Sequence, residues 1–388
     1  MKYNFDETIP RVGTNSVKFD YRRQYFGRED VIPMWVADMD FPVPPFVSDA
    51  VRKRAEHPIY GYSIIPDSYY QAVINWQHRR YGWEIKQDCI LFSPGVVTGL
   101  NVIVQALTNP GDKIIVQPPV YFPFFSSIEK NGRELILNDL IEMDGIYSID
   151  FDDLESKMKD GAQMMILCSP HNPVGRCWTK EELEWLGAKS LEYGVILVSD
   201  EIHCDLVFDP HEHIPLATLS EEISLNTVTC IAPSKTFNLA GLYSSSIIIP
   251  NDSLRRKFKH NAEKIHLSAN LFGITAAEAA YSGGEEWLEE LMAYLRANAV
   301  RVKEFLSAEK PDITCSPLEA TYMLWLDFRK LGLTPPETKK RLIEKAGLGL
   351  VDGPVFGPGG DGFQRMNIAC PRSTLENALV RFRKILDD

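Results

Sequence analysis

The sequence predicts an α/β protein: a three-layer α/β/α large domain around a mostly parallel sheet, joined to a smaller α+β domain. Three observations carry this. Short apolar runs alternate with helical patterns through the middle of the chain. Those runs are continuous, as in strands covered on both faces. Past residue 285 the order changes to a long helix followed by strand, helix, strand and helix.

Residues 1–44 are rich in aromatics and prolines and end in DMDFPVPP, which reads as an arm packed on another part of the chain. Residues 45–285 carry the strand–helix alternation and are expected to form the large domain. Within SPGVVTGLNVIVQALTNPGD, Val96, Leu100, Ile103 and Leu107 recur at helical spacing. DKIIVQPPVY, AQMMILCSP, YGVILVSDEIH, NTVTCIAPSK and YSSSIIIP are apolar runs bounded by Gly, Pro, Asn or Asp, the pattern of buried strands. Thr179 and Glu182 form a capping-box pattern at the start of TKEELEWLGAKSLEYG, and Gly194 supplies its stop. Residues 284–310 read as one long amphipathic helix. After it come ATYMLWLDFR as a strand, PPETKKRLIEKAG as a helix, GFQRMNIAC as a strand and STLENALVRFRKILDD as a closing helix. Residues 286–388, with the 1–44 arm, are expected to make the smaller domain.

Of the 388 residues, 45% are hydrophobic and 24% charged, which suits a globular chain with a sizeable core. A net charge of −12 argues against a nucleic-acid or anionic-membrane partner. The segment MKYNFDETIPRVG lacks the apolar core of a signal peptide, and no run of about 18 apolar residues marks a membrane span. The seven cysteines are scattered and form no CxxC pair, so reduced thiols in a cytoplasmic protein fit best.

Chemistry enters at the ends of the apolar runs. Lys235, in APSKTFNLAGL, follows a buried strand; burial disfavours its charged form, and a neutral amine is a nucleophile that forms a Schiff base with an aldehyde. The alternative is a lysine whose head escapes to solvent. Asp200 ends a strongly apolar run, where α/β sheets bind ligands, and needs a partner such as a protonated pyridine nitrogen. Asn172, in CSPHNPVGRCW, sits in a tight turn where its amide can reach a phenolic oxygen. Pro94-Gly95 opens a helix whose first N–H groups can cradle a phosphate, helped by the helix dipole and Thr98.

In this order, the Gly95 turn, Tyr121, Asn172, Asp200 and Ser234-Lys235 resemble the pyridoxal-phosphate enzymes of the aspartate-aminotransferase fold type, fold type I. The resemblance spans the chain. WVADMDFP, HNPVGR, SDEIH, SKTFNLAGL, EATYMLWLDFR and MNIACPRSTLE match the branch of bacterial cystathionine β-lyases and related C–S lyases. It implies that Lys235 holds pyridoxal 5′-phosphate and, once freed, moves protons, with Tyr121 beside it stacked on the ring. Asp200 would pair with the ring nitrogen and Asn172 with the phenolate oxygen. Ser234 and the backbone of Gly95, Val96 and Val97 would hold the phosphate. His203 is either a cofactor contact or a satisfied core histidine. Tyr62, with Tyr60 as the alternative, would reach a phosphate across a homodimer interface. Arg365 matches the arginine that grips the substrate α-carboxylate through a bidentate fork, where Asn172 and the backbone at Ala37 adjoin it. One departure is plain: relatives commonly carry a phosphate-binding arginine eight residues past the lysine, and here that position is Tyr243.

Three motifs are set aside. GPGGDG at 357–362 runs into a strand pattern, so it reads as a flexible loop near the entrance and not as a dinucleotide fingerprint. DPHEHIP lacks a further ligand at metal spacing and reads as a surface loop, so no metal is expected. RRKFKH at 255–260 reads as a solvated helix face. The leading activity is β-elimination from cystathionine, cysteine or S-substituted cysteines. An aminotransferase with the same residues is the rival, and a regulator of the same fold is a third reading.

Overall fold

The computed structural model describes residues 2–387. Its largest sheet has seven strands, in the order Ile90–Ser93, Ser245–Ile248, Thr227–Ile231, Ile196–Asp200, Ala162–Cys168, Lys113–Val116 and Glu134–Leu137. Ser245–Ile248 runs antiparallel to both its neighbours. The remaining adjacent pairs are parallel.

Successive residues of a strand face opposite sides, and here both sides are apolar. Ile114, Ile166, Val198 and Val228 pack with Leu100 and Ile103 of the Val96–Leu107 helix. Ile115, Leu167 and Leu197 pack on the other side with Leu183 and Leu186 of the Lys180–Tyr193 helix. Two covered faces are why these strands read as continuous apolar runs. The Lys180–Tyr193 helix starts in the Thr179–Glu182 capping box and stops at Gly194, which takes φ 71°.

A second sheet is antiparallel, in the order Thr314–Cys315, Met323–Asp327, Phe363–Asn367 and Val351–Asp352. Leu324, Leu326 and Met366 from it pack with Leu295, Val302 and Phe305 of the Glu285–Glu309 helix and with Leu375 and Leu379 of the Arg372–Phe382 helix. The amino-terminal arm joins the same neighbourhood. Ile32–Pro33 pairs in parallel with Leu348–Gly349, and Asp40 donates its N–H to the Ala369 carbonyl. Phe5 meets Phe41 and Trp287 edge-on. Among the described residues no helix is long and apolar enough to cross a membrane.

Two readings need correction. The DPHEHIP segment is not wholly a surface loop: His213 is buried and its Nε2 lies 3.0 Å from Glu201 Oε2. The chain turns inward there because Glu201 also accepts from Ser199 Oγ and the Leu216 N–H. No cluster of metal-ligating residues occurs among the described residues. Within RRKFKH, Arg255 and Phe258 are buried; Arg255 caps the Ile249 and Pro250 carbonyls and reaches Asp88. In the GPGGDG loop Pro358, Gly359 and Asp361 are exposed, while Gly360 is buried where a Cβ would stand 2.0 Å from the Gly353 carbonyl oxygen, so only glycine fits there. It leads into the Phe363–Asn367 strand and opens no helix.

Candidate active site

Parallel strands end at one edge of their sheet, so their polar turns converge. Asp200 is the last residue of its strand. Cys168 ends the adjacent strand, and Asn172 follows in the next turn. Lys235 lies on the short Pro233–Thr236 helix just past Ile231. The Gly95 turn opens the Val96–Leu107 helix at the same edge.

These turns enclose a cavity of about 290 Å³. Gly95, Val96 and Val97 form one end with Thr98; Tyr121, Asn172, Asp200, His203, Ser234 and Lys235 line the rest. A larger cavity of about 1010 Å³ adjoins it, shares Ala37, Tyr121, Lys235 and Tyr243, and reaches Arg365. Tyr62 is fully exposed and lines neither cavity. Tyr60 donates its hydroxyl to the Ala55 carbonyl at 2.9 Å.

The electrostatics follow from burial. Lys235 Nζ donates to the Ala37 carbonyl at 2.7 Å and forms no ion pair among the described residues. Desolvation, with Arg365 adding to it, pushes this amine down to about 8. Asp200 is pushed up by burial to about 7 and accepts one hydrogen bond, from the Ile202 N–H at 3.2 Å. Burial holds the His203 imidazole well below its ordinary value, so it is neutral at neutral pH, and its Nδ1 has no partner. Arg365 is buried over the Phe356 ring. Its Nη1 donates to Asn172 Oδ1 at 3.0 Å and its Nη2 to the Trp35 carbonyl at 3.1 Å, while Nε is unpartnered. Burial lowers it to about 10, which still leaves it charged at neutral pH. A buried cation without a carboxylate calls for an anionic ligand.

Several further residues shape this site. The Tyr322 hydroxyl donates to the same Ala37 carbonyl at 3.0 Å. Asn238, at φ 59°, bonds the backbone of Met39 and Phe41. Asn367 donates to the Val36 and Asp38 carbonyls. Arg11 and Lys18 pair with Asp38 and Asp40, which fixes the loop bearing Ala37 from its outer side. Asp205 accepts from Thr236 Oγ1, Trp76 Nε1 and the Tyr81 hydroxyl, so it anchors the turn after Lys235. An asparagine inside an otherwise apolar motif, as in TFNLAG and RMNIA, was the signal available.

The donor set fits pyridoxal 5′-phosphate. Gly95 takes φ 94°, and a Cβ there would meet only the Tyr243 ring, at 4.0 Å. Gly99 is the first residue to donate back into the helix, to the Gly95 carbonyl, so the amides of Val96, Val97 and Thr98 remain for a phosphate. Lys235 offers an amine for the aldehyde, and Asp200 an acceptor for the ring nitrogen.

Comparisons agree with this chemistry. The model of the family "Aminotransferase class I and II" matches residues 29–382. Cystathionine beta-lyase PatB of Bacillus subtilis is 47% identical over 99% of this chain and 100% of its own length. The crystal structure of cystalysin from Treponema denticola, with a pyridoxal 5′-phosphate cofactor, superposes with TM-score 0.96 at 36% identity and covers 100% of both chains. The PLP-bound C–S lyase from Staphylococcus hominis gives TM-score 0.92 at 35% identity, covering 100% of this chain and 98% of its own.

Proposed function

We propose that this chain, which belongs to the aminotransferase class I and II family, is a pyridoxal-phosphate-dependent carbon–sulfur lyase of the cystathionine β-lyase type. One observation carries the reading most directly. An amine brought near neutrality and a buried guanidinium without a carboxylate border the same cavity. That pair suits an α-amino acid, with its carboxylate on Arg365 and its α-hydrogen turned to Lys235.

Pyridoxal 5′-phosphate, held by Lys235, Asp200, Asn172, Ser234 and the amides after Gly95, supplies an electron sink for negative charge at the substrate α-carbon. The chain does the rest. Arg365 and Asn172 hold the carboxylate, and the Ala37 backbone closes beside it. Once the substrate amine has displaced it from the cofactor, Lys235 Nζ, in its neutral form, takes the α-proton and hands it to the sulfur as the Cβ–S bond breaks. Tyr121, which lines the same cavity, would stack on the ring. Neutral His203 offers an uncharged contact to a cofactor oxygen. A thiol departs, and water converts the remaining enamine to pyruvate and ammonia.

The reading includes a homodimer. Ile59, Tyr60, Tyr62 and Ile64 stand exposed on one loop, and Tyr62 touches neither cavity of its own chain. An apolar group of this kind suits contact with a second copy, where Tyr62 would reach a phosphate. It also includes residues 45–285 as the cofactor-binding unit, 286–388 with the 1–44 arm as the smaller unit, and a cytoplasmic home for seven free cysteines.

Incubation with cystathionine tests it. Equal yields of pyruvate, ammonia and homocysteine are expected. Keto-acid-dependent amino exchange without thiol release would replace the lyase reading with the aminotransferase one.

A further inference from the structure

The register of the central strands sets Cys168, Asp200 and Cys230 in a row, so that Asp200 has a cysteine as its cross-strand neighbour on either side. Adjacent strands lie about 4.8 Å apart, and registered neighbours share a face. That face is the one covered by the Val96–Leu107 helix, since Ile166, Cys168, Val198, Val228 and Cys230 all belong to its apolar cluster. Cys168 lines the smaller cavity beside Asp200; Cys230 is fully buried beneath it.

Neither thiol donates to the carboxylate. Cys168 Sγ donates to the Pro170 carbonyl at 3.4 Å and accepts from the Asn172 N–H at 3.5 Å. Cys230 Sγ has no hydrogen-bond partner among the described residues. The Ile202 N–H is the one donor that Asp200 receives among the described residues, whereas a carboxylate has room for about four. Cysteine fills the volume of a small side chain and offers only a weak S–H. Serine, of nearly the same shape, would put a strong O–H against a charged acceptor. Burial, with the charge of Asp200 behind it, pushes both thiols up, so they bring no competing charge.

We propose that Cys168 and Cys230 are positioning residues that keep Asp200 free of competing donors, so that its acceptor capacity goes to the ring nitrogen of the bound cofactor. The inference rests on the pyridoxal-phosphate reading above. Its test compares serine with alanine at each position, because the two remove the sulfur alike and differ in the hydroxyl. Cofactor is stripped and titrated back, the dissociation constant is read from absorbance, and the pH midpoint of the bound cofactor's visible spectrum is recorded. Cys230→Ser should bind at least about tenfold more weakly, with a displaced pH midpoint, and Cys168→Ser should shift the same way but less, since its hydroxyl also has the Pro170 carbonyl to donate to. Cys230→Ala and Cys168→Ala should keep wild-type affinity within about threefold, as a change of packing alone requires. Serine variants that bind as tightly as wild type, or alanine variants weakened as much as serine, would overturn the inference. Should Cys230→Ser not fold, Cys168→Ser against Cys168→Ala at the cavity wall carries the comparison in the same direction, with any weakening beyond alanine upholding the inference and none overturning it. A wild type that takes up no pyridoxal phosphate would instead overturn the functional reading itself.

Discussion

Replacing Arg365 by lysine keeps the charge and removes the fork. Arg365 spends its Nη atoms partly on Asn172 Oδ1 and the Trp35 carbonyl, and its unpartnered Nε adds a further donor direction. A lysine ammonium is a compact point charge and cannot serve both oxygens and a substrate carboxylate in one plane. The loss of one charge-assisted hydrogen bond is worth about 1.5–3 kcal/mol, or about 10- to 150-fold. Arg365→Lys should therefore lower kcat/KM for cystathionine by about 10- to 150-fold. Most of the loss should fall on KM, since the carboxylate is held alike before and during proton removal. Initial rates of pyruvate formation, coupled to a lactate dehydrogenase, measure this, with cofactor content checked by visible absorbance. Arg365 lies in the larger cavity and not among the residues around the phosphate end, so cofactor content should hold. A variant with full cofactor and kcat/KM within threefold of wild type would refute the carboxylate assignment.

In the cofactor-free protein, labelling of Lys235 by an amine reagent, resolved by peptide mass, should rise with a midpoint near pH 8; a midpoint near 10.5 would contradict its desolvation. Asp200 gives a signed prediction for stability. Its folded value, about 7, lies above the ordinary 3.8, so the folded state holds the proton more tightly. The contribution of Asp200 to the stability of the cofactor-free wild type is therefore lost as pH rises from about 4 through 7. Cofactor-free Asp200→Asn carries no such loss and should gain on wild type across that window in urea unfolding; a difference that stays constant with pH would contradict the argument. His213→Ala leaves Glu201 buried with one donor fewer and should cost about 1–3 kcal/mol of unfolding free energy. A cost under about 0.5 kcal/mol, the level of an ordinary surface change, would return His213 to the surface-loop reading.

The cofactor end of the site was readable because its residues break an apolar pattern at a strand end. Lys235, Asp200 and Asn172 are polar residues directly after buried runs, and parallel strands bring such positions together. Arg365 was readable through the resemblance, in QRMNIA, and not from the strand pattern that carries it. The supporting residues were not readable, because each acts on a partner remote in sequence. Asn238 meets Met39 across 199 positions, and Tyr322 meets Ala37 across 285. His213 was misread for the same reason: DPHEHIP is polar in composition, and only the three-dimensional path carries its second histidine to Glu201. In the fold, the edge strands Ile90–Ser93 and Glu134–Leu137 went unseen since they are short and only partly covered.

Everything in this reading passes through one lysine. Borohydride reduction of the protein loaded with pyridoxal phosphate, followed by peptide mapping, asks which amine holds the cofactor. The added mass should fall on the peptide carrying Lys235, and Lys235→Ala should show none and release no pyruvate. Added mass on a different lysine, or pyruvate release by Lys235→Ala at the wild-type rate, would contradict it.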